Sequence, residues 1–121
     1  MSVFLIAISW SDPEEVAAYK RVGLDDDPSC STGIFIDADT VEHALSWGNT
    51  VLRKYTEFLF QRKNYAPEAL ELHCWLEANP EGSSWKHCLE FFPQVSVGQY
   101  PDFHKMTAEA YSEWCRKMGI T

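Results

Sequence analysis

The feature that most constrains the fold is an apolar stripe along residues 41–59. Apolar side chains recur there at steps of three and four residues, and Asp39 followed by Glu42 provides a capping pattern ahead of them. This spacing predicts an amphipathic helix of about six turns. Gly48 lies on the stripe, where glycine costs a helix ~1 kcal/mol relative to alanine, so we expect a close approach between this helix and a sheet.

Two short apolar runs supply the centre of that sheet. Residues 3–10 are almost continuously apolar, and residues 33–38 form a second run. Runs of this length between turn-forming residues are typical of buried strands. Between them, Asp12 and Pro13 predict the start of a short helix over residues 13–22.

The second half of the chain predicts a hairpin and a final helix. Apolar and polar residues alternate over 70–76 and again over 85–91, with turn-forming residues between the two segments. The favoured register places His73 opposite Glu90, because cross-strand pairs of opposite charge are stabilising. Residues 95–100 are expected to add a weak strand, and the last helix is capped near Thr107 and ended by Gly119.

The chain of 121 residues has the usual length of one domain with one core. The order of its elements predicts a single α+β domain over residues 1–121. We expect a mostly antiparallel sheet of about four or five strands, with the long helix and the C-terminal helix packed on one face. A ferredoxin-like or related topology is the leading arrangement.

Acidic residues are concentrated near the N-terminus. The net charge is −8, and residues 12–42 contain nine of the 18 acidic residues. Five of these nine stand in the first turns of the two predicted helices, where the helix dipole favours carboxylates. The acidic loop Asp25, Asp26 and Asp27 remains as a candidate contact for a basic protein, while nucleic acid and anionic membranes are disfavoured as partners.

Cysteine usage and the N-terminus predict a cytoplasmic protein. The four cysteines are widely spaced and form no C-x-x-C motif, which favours a reducing compartment. The first ten residues lack the basic start of a signal peptide, and no segment approaches the ~20 apolar residues of a membrane span.

No cofactor, metal or catalytic residue is predicted. The pairs His73-Cys74 and His87-Cys88 resemble zinc ligands, but adjacent residues on a strand point to opposite faces. The acidic loop lacks the ligand spacing of a calcium site. His87 and His104 are retained as candidate titratable groups in the wall of a ligand pocket.

Two principal functions follow from these patterns. The first is a small acidic protein-interaction domain without catalytic activity, of the inhibitor or immunity type, which binds a basic partner through the acidic loop and an exposed Trp75. The alternative is a small-molecule-binding protein or enzyme, with a pocket between the long helix and the sheet or across a dimer interface. Homodimerisation through the Trp75 face is a further hypothesis. A third hypothesis is an accessory domain without its own activity.

Overall fold

The computed structural model describes residues 2–24 and 29–119, which contain four strands, three α-helices and several 3₁₀ turns. The strands are β1 (Ser2–Trp10), β2 (Cys30–Ala38), β3 (His73–Leu76) and β4 (Gln94–Ser96). The α-helices are α1 (Pro13–Arg21), α2 (Val41–Leu59) and α3 (Ala108–Met118). The 3₁₀ turns are Pro67–Leu70, Pro80–Gly82, Lys86–Phe91 and Phe103–Lys105.

The four strands form one mixed sheet in the order β3-β1-β2-β4. β1 pairs antiparallel with both β2 and β3, whereas β2 and β4 are parallel. The predicted α+β class is therefore confirmed, but the sheet is mixed rather than mostly antiparallel. This strand order does not confirm the ferredoxin-like topology.

One face of the sheet is covered by α2. Even-numbered residues of the two central strands, such as Ile6, Ile8, Ile34 and Ile36, are fully buried beneath the helix. At Gly48, an added Cβ would lie 2.7 Å from Ile6 Cγ2 and 3.0 Å from the Cys74 sulfur. The close approach that this glycine predicts is thus confirmed, and it places the axis of α2 over β1.

The start of α2 lies one residue later than expected. Thr40, rather than Asp39, is the N-cap, and its Oγ1 accepts a hydrogen bond from the His43 N–H at 3.2 Å. Both residue types are good N-caps, so the sequence pattern alone does not separate them.

The opposite face is covered by residues 80–92, which we call the covering segment. The predicted hairpin strand over residues 85–91 is wrong, because Lys86–Phe91 forms a 3₁₀ helix, and the proposed pairing of His73 with Glu90 is wrong with it. Trp85, Leu89 and Phe92 lie three or four residues apart, whereas residues 85–91 also alternate between apolar and polar. The helical spacing prevails since the second sheet face needs an apolar cover, and Phe92 lies against Gly33, where an added Cβ would be 2.8 Å from the ring.

The C-terminal helix α3 has the predicted ends, with Thr107 as N-cap and Gly119 in the left-handed conformation at φ 73°. Its position differs from the expectation. Tyr111 and Trp114 pack with the cluster on the covering-segment side, and the Phe91 ring contacts both at centroid distances of 5.2 and 5.7 Å. The expected placement of both helices on one face is therefore wrong.

Candidate ligand cavity

A cavity of about 320 Å³ lies at the end of the sheet where β1 finishes and β2 begins. Its walls come from four parts of the chain that are distant in sequence: the Trp10–Cys30 end of the central strand pair, α2, the covering segment and the start of α3. We call it the end cavity. Its volume lies at the lower limit of ordinary ligand sites, which span roughly 300–1,000 Å³.

Aromatic side chains form most of the apolar wall. Those lining the end cavity are Trp10, Tyr55, Trp85, Phe91, Phe92 and Tyr111. Several are held in place by other rings: Trp10 meets Tyr55 edge to face at 5.2 Å, and Trp85 meets Phe92 in the same way at 5.2 Å. Tyr55 is also anchored by its hydroxyl, which donates to the Met106 carbonyl at 2.9 Å. The wall is therefore built of mutually supported rings.

One hydrogen-bonded pair gives this wall a polar group. The hydroxyl of Tyr111 lies 3.1 Å from Nε2 of His87. A hydrogen bond with the Cys115 thiol, together with burial, raises the pKa of Tyr111 to about 12, so the phenol is protonated at neutral pH. When the phenol donates to Nε2, the imidazole carries its proton on Nδ1 and presents an N–H donor.

The two cysteines in the wall are protonated thiols rather than thiolates. Burial raises the pKa of Cys30, and the carboxylates of Glu15 and Asp12 raise it further. Burial likewise raises the pKa of Cys88, whose sulfur lies 3.3 Å from the Trp85 carbonyl in a donated hydrogen bond. A nucleophilic cysteine requires the opposite shift, so these thiols act as small, weakly polar surfaces.

The residues that the sequence singles out are separated by the fold. His87 lines the end cavity, whereas His104 lies outside it, exposed, and its ring is nearly perpendicular to that of Phe58 at a centroid distance of 4.8 Å. Trp75 lies on the edge strand β3 and is 41 % exposed. The acidic loop Asp25, Asp26 and Asp27 falls outside the described residues, as does any contact that it makes.

A larger groove of about 790 Å³ runs beside the C-terminal half of α2. Its charged lining residues have both signs, with Arg53 and Lys63 beside Glu57 and Glu68. Lys63 is engaged by Glu14 at 2.6 Å. These long side chains are exposed to solvent, whereas the end cavity has a fixed aromatic wall, so we regard the end cavity as the better ligand site despite its smaller volume.

Within residues 2–24 and 29–119, no group of three or more His, Cys, Asp and Glu side chains is arranged to hold a metal ion. None of the helices in those ranges is both long and apolar enough to cross a membrane. No protein-family model, curated protein or solved structure matches the chain.

Sequence reasoning identified His87 but missed its partners. From the sequence alone, Trp10 and Trp85 fit core positions and Tyr111 fits the apolar stripe of the last helix. The available signal was the aromatic content of 14 %. The aromatic content does not say where the rings lie in the fold, so it does not show that these rings surround one cavity.

Proposed function

We propose that the protein binds a small, flat and largely apolar ligand in the end cavity. The observation that carries this proposal is a cavity of about 320 Å³ with six aromatic side chains and the hydrogen-bonded pair His87 and Tyr111 in its wall. Rings supply apolar contact over planar surfaces, and one polar pair orients the bound molecule. A ligand in the end cavity would agree with the alternative prediction of a small-molecule-binding protein, but the pocket lies at the end of the sheet rather than between α2 and the sheet.

The charge around the cavity narrows the ligand class to neutral or cationic molecules. Glu15 and Asp12 act electrostatically on Cys30 in the cavity wall, and the chain carries a net charge of −8. An anionic ligand would enter against this field. A cation is favoured by these carboxylates.

Binding is proposed here without a covalent step. The pKa values of Cys30 and Cys88 are raised, and that of Tyr111 is raised to about 12. These groups are thus uncharged at neutral pH. Such a set recognises a ligand but does not attack it.

Three probes that share one ring system test the proposal by calorimetry and ligand-detected NMR: indole, tryptamine and indole-3-acetate. We expect tryptamine to bind most tightly, indole next and indole-3-acetate most weakly. Tyr111→Phe keeps the ring but removes the hydroxyl, and it should reduce tryptamine affinity several-fold, in line with the loss of about one hydrogen bond.

A matched pair of alanine substitutions locates the site. Ala108→Leu places extra volume at the cavity, and Ala17→Leu makes the same change at an exposed position of α1. Only Ala108→Leu should weaken tryptamine binding, by about tenfold or more, equivalent to ~1.4 kcal/mol. Absence of binding by all three probes at about 1 mM, or equal binding to both variants, would overturn the proposal.

The predicted contact between the acidic loop and a basic protein stays a prediction, as does the cytoplasmic location. Replacing Asp25, Asp26 and Asp27 with Asn would slow association with such a partner at low salt if the loop steers the encounter. An unchanged association rate would contradict the hypothesis of an acidic contact loop, but it would not bear on ligand binding in the end cavity.

A further inference from the structure

The outer edge of β3 is open. β3 pairs with β1 so that Trp75 is opposite Ala7, and the Glu77 N–H donates to the Leu5 carbonyl at 2.9 Å. Hydrogen-bonding residues alternate along an antiparallel strand, so the main-chain groups of Cys74 and Leu76 point away from β1. In the part of the chain that the structure describes, no backbone hydrogen bond from another segment reaches them.

The other edge of the same sheet is partly occupied by its own turn. On β4, the outward N–H of Ser96 donates to Oε1 of Gln99 at 3.0 Å, and the Gln99 N–H donates back to the Ser96 carbonyl at 2.9 Å. The two edges therefore differ. Among the described residues, both outward residues of β3, Cys74 and Leu76, have free pairing groups, whereas on β4 the groups of Ser96 are occupied and those of Gln94 are free.

The side chains of β3 also lack the usual protection of an edge strand. Its sequence, His73–Leu76, contains no lysine and no proline. Trp75 is 41 % exposed and Leu76 is 36 % exposed. An edge with free main-chain groups and exposed apolar side chains is suited to pairing with another strand.

We propose that the protein forms a two-fold symmetric dimer in which β3 pairs antiparallel with β3 of a second copy. The register places Trp75 opposite the partner's Trp75, Cys74 opposite the partner's Leu76 and His73 opposite the partner's Glu77. In this register Cys74 and Leu76 exchange the main-chain hydrogen bonds, which agrees with the direction of their free groups. The proposal does not depend on the end cavity.

Charge and length both select this register. Only registers whose paired residue numbers have an even sum bring the outward groups of Cys74 and Leu76 together. A sum of 150 pairs the whole segment from His73 to Glu77 and sets each imidazole opposite a carboxylate, twice by symmetry. Shifting the sum by two in either direction leaves three residues of that segment paired, and Glu71, at φ 48°, interrupts the extended backbone before it.

The dimer leaves room for both copies of α2. The helix crosses the sheet over β1, since its Gly48 is nearest to Ile6. In the paired sheet, the two β1 strands would be three strand spacings apart, about 14 Å. That distance exceeds the ~10–12 Å diameter of a helix with its side chains, so the two helices lie beside each other without overlap.

Sedimentation equilibrium on the full chain tests the dimer through a charge exchange. The wild-type protein should approach twice the 13.9 kDa chain mass as concentration rises. Glu77→Lys and His73→Glu should each weaken dimerisation about tenfold, equivalent to ~1.4 kcal/mol, and the double variant should recover most of that loss. Glu81→Lys, an exposed change of the same charge, should have no such effect.

The recovery in the double variant is specific to the proposed pairing. Glu77→Lys lowers the net negative charge of the chain, which by itself would favour association, so weakening has to come from the local contact. A monomer at all concentrations up to about 1 mM would overturn the proposal. So would a dimer whose affinity does not recover in the double variant. Circular dichroism confirms that each variant remains folded.

Discussion

Replacing Gly48 with alanine has two opposing effects on the free energy of unfolding. Alanine in place of glycine within a helix is worth ~1 kcal/mol in favour of folding. The new methyl group, however, would lie 2.7 Å from Ile6 Cγ2 and 3.0 Å from the Cys74 sulfur, well inside an ordinary contact of about 3.5–4.0 Å.

The strain should exceed the gain in helix propensity. Ile6 is fully buried on the central strand, so its methyl group has little room to move. Overpacking a core of this kind costs roughly 1–3 kcal/mol, and the rigidity at Ile6 places Gly48→Ala in the upper part of that range. We therefore expect a net loss of ~1–2 kcal/mol in the free energy of unfolding, or a fall of about 0.5–1 M in the urea midpoint.

Urea unfolding followed by tryptophan fluorescence measures this loss. Asn49→Ala and Asn49→Gly form the control, since Asn49 is exposed on the same helix and both variants remove its bond to the Leu45 carbonyl. The difference in the free energy of unfolding between these two variants gives the effect of helix propensity at a position that does not contact the sheet. If Gly48→Ala is as stable as the wild type or more stable, the close approach of α2 to β1 is refuted.

Two further outcomes concern stability. Burial raises the pKa of Tyr55 to about 12 from 10.0, so the protonated phenol contributes fully to the stability of the folded state below pH 10, and this contribution is lost as pH rises through 12. Tyr55→Phe should therefore flatten the decline in thermal stability between these two pH values. An unchanged slope would contradict the assignment. Thr107→Ala removes the N-cap of α3, whose Oγ1 accepts from the Ala110 N–H at 3.2 Å, and should cost about 1 kcal/mol in urea unfolding. Thr50→Ala, a change at a mid-helix hydroxyl of α2, should cost less, and equal losses would argue against a capping role.

The elements with local signals could be predicted from the sequence. β1 and β2 are continuous apolar runs, and the caps at Asp12 and Thr107 and the stop at Gly119 mark the ends of helices. Each of these signals acts within a few residues and is insensitive to the rest of the chain. The one-residue difference between Asp39 and Thr40 shows the limit of such signals where two good caps are adjacent.

The covering segment could not be predicted because its sequence is compatible with two periods. Trp85, Leu89 and Phe92 fit a helical spacing, while residues 85–91 also alternate. The choice depends on the sheet face beneath the segment, and that face exists only once β1 and β2 have paired. The strand order has the same origin, since the parallel partnership of β2 and β4 is a contact between distant parts of the chain.

Only one residue of the end cavity could be predicted from the sequence. His87 stood out as a titratable group, but its meeting with Tyr111 requires the covering segment and α3 to share one side of the sheet. Trp10 and Cys30 are brought to the same place by the antiparallel register of β1 and β2. A pattern confined to neighbouring residues contains neither relation.

The bonds between Ser96 and Gln99 have a consequence for how far association proceeds. A sheet with two open edges adds copies without limit and grows into a filament, whereas on the β4 edge of this sheet the outward groups of Ser96 are already bonded to Gln99. Pairing of two β3 strands would use the β3 edge in both copies and produce eight strands with a partly occupied β4 edge at each end. The bonds between Ser96 and Gln99 then oppose growth beyond two chains. Gln99→Ala removes the side-chain acceptor of the Ser96 N–H but keeps the main-chain bond to the Ser96 carbonyl, so it should weaken this barrier and favour larger assemblies.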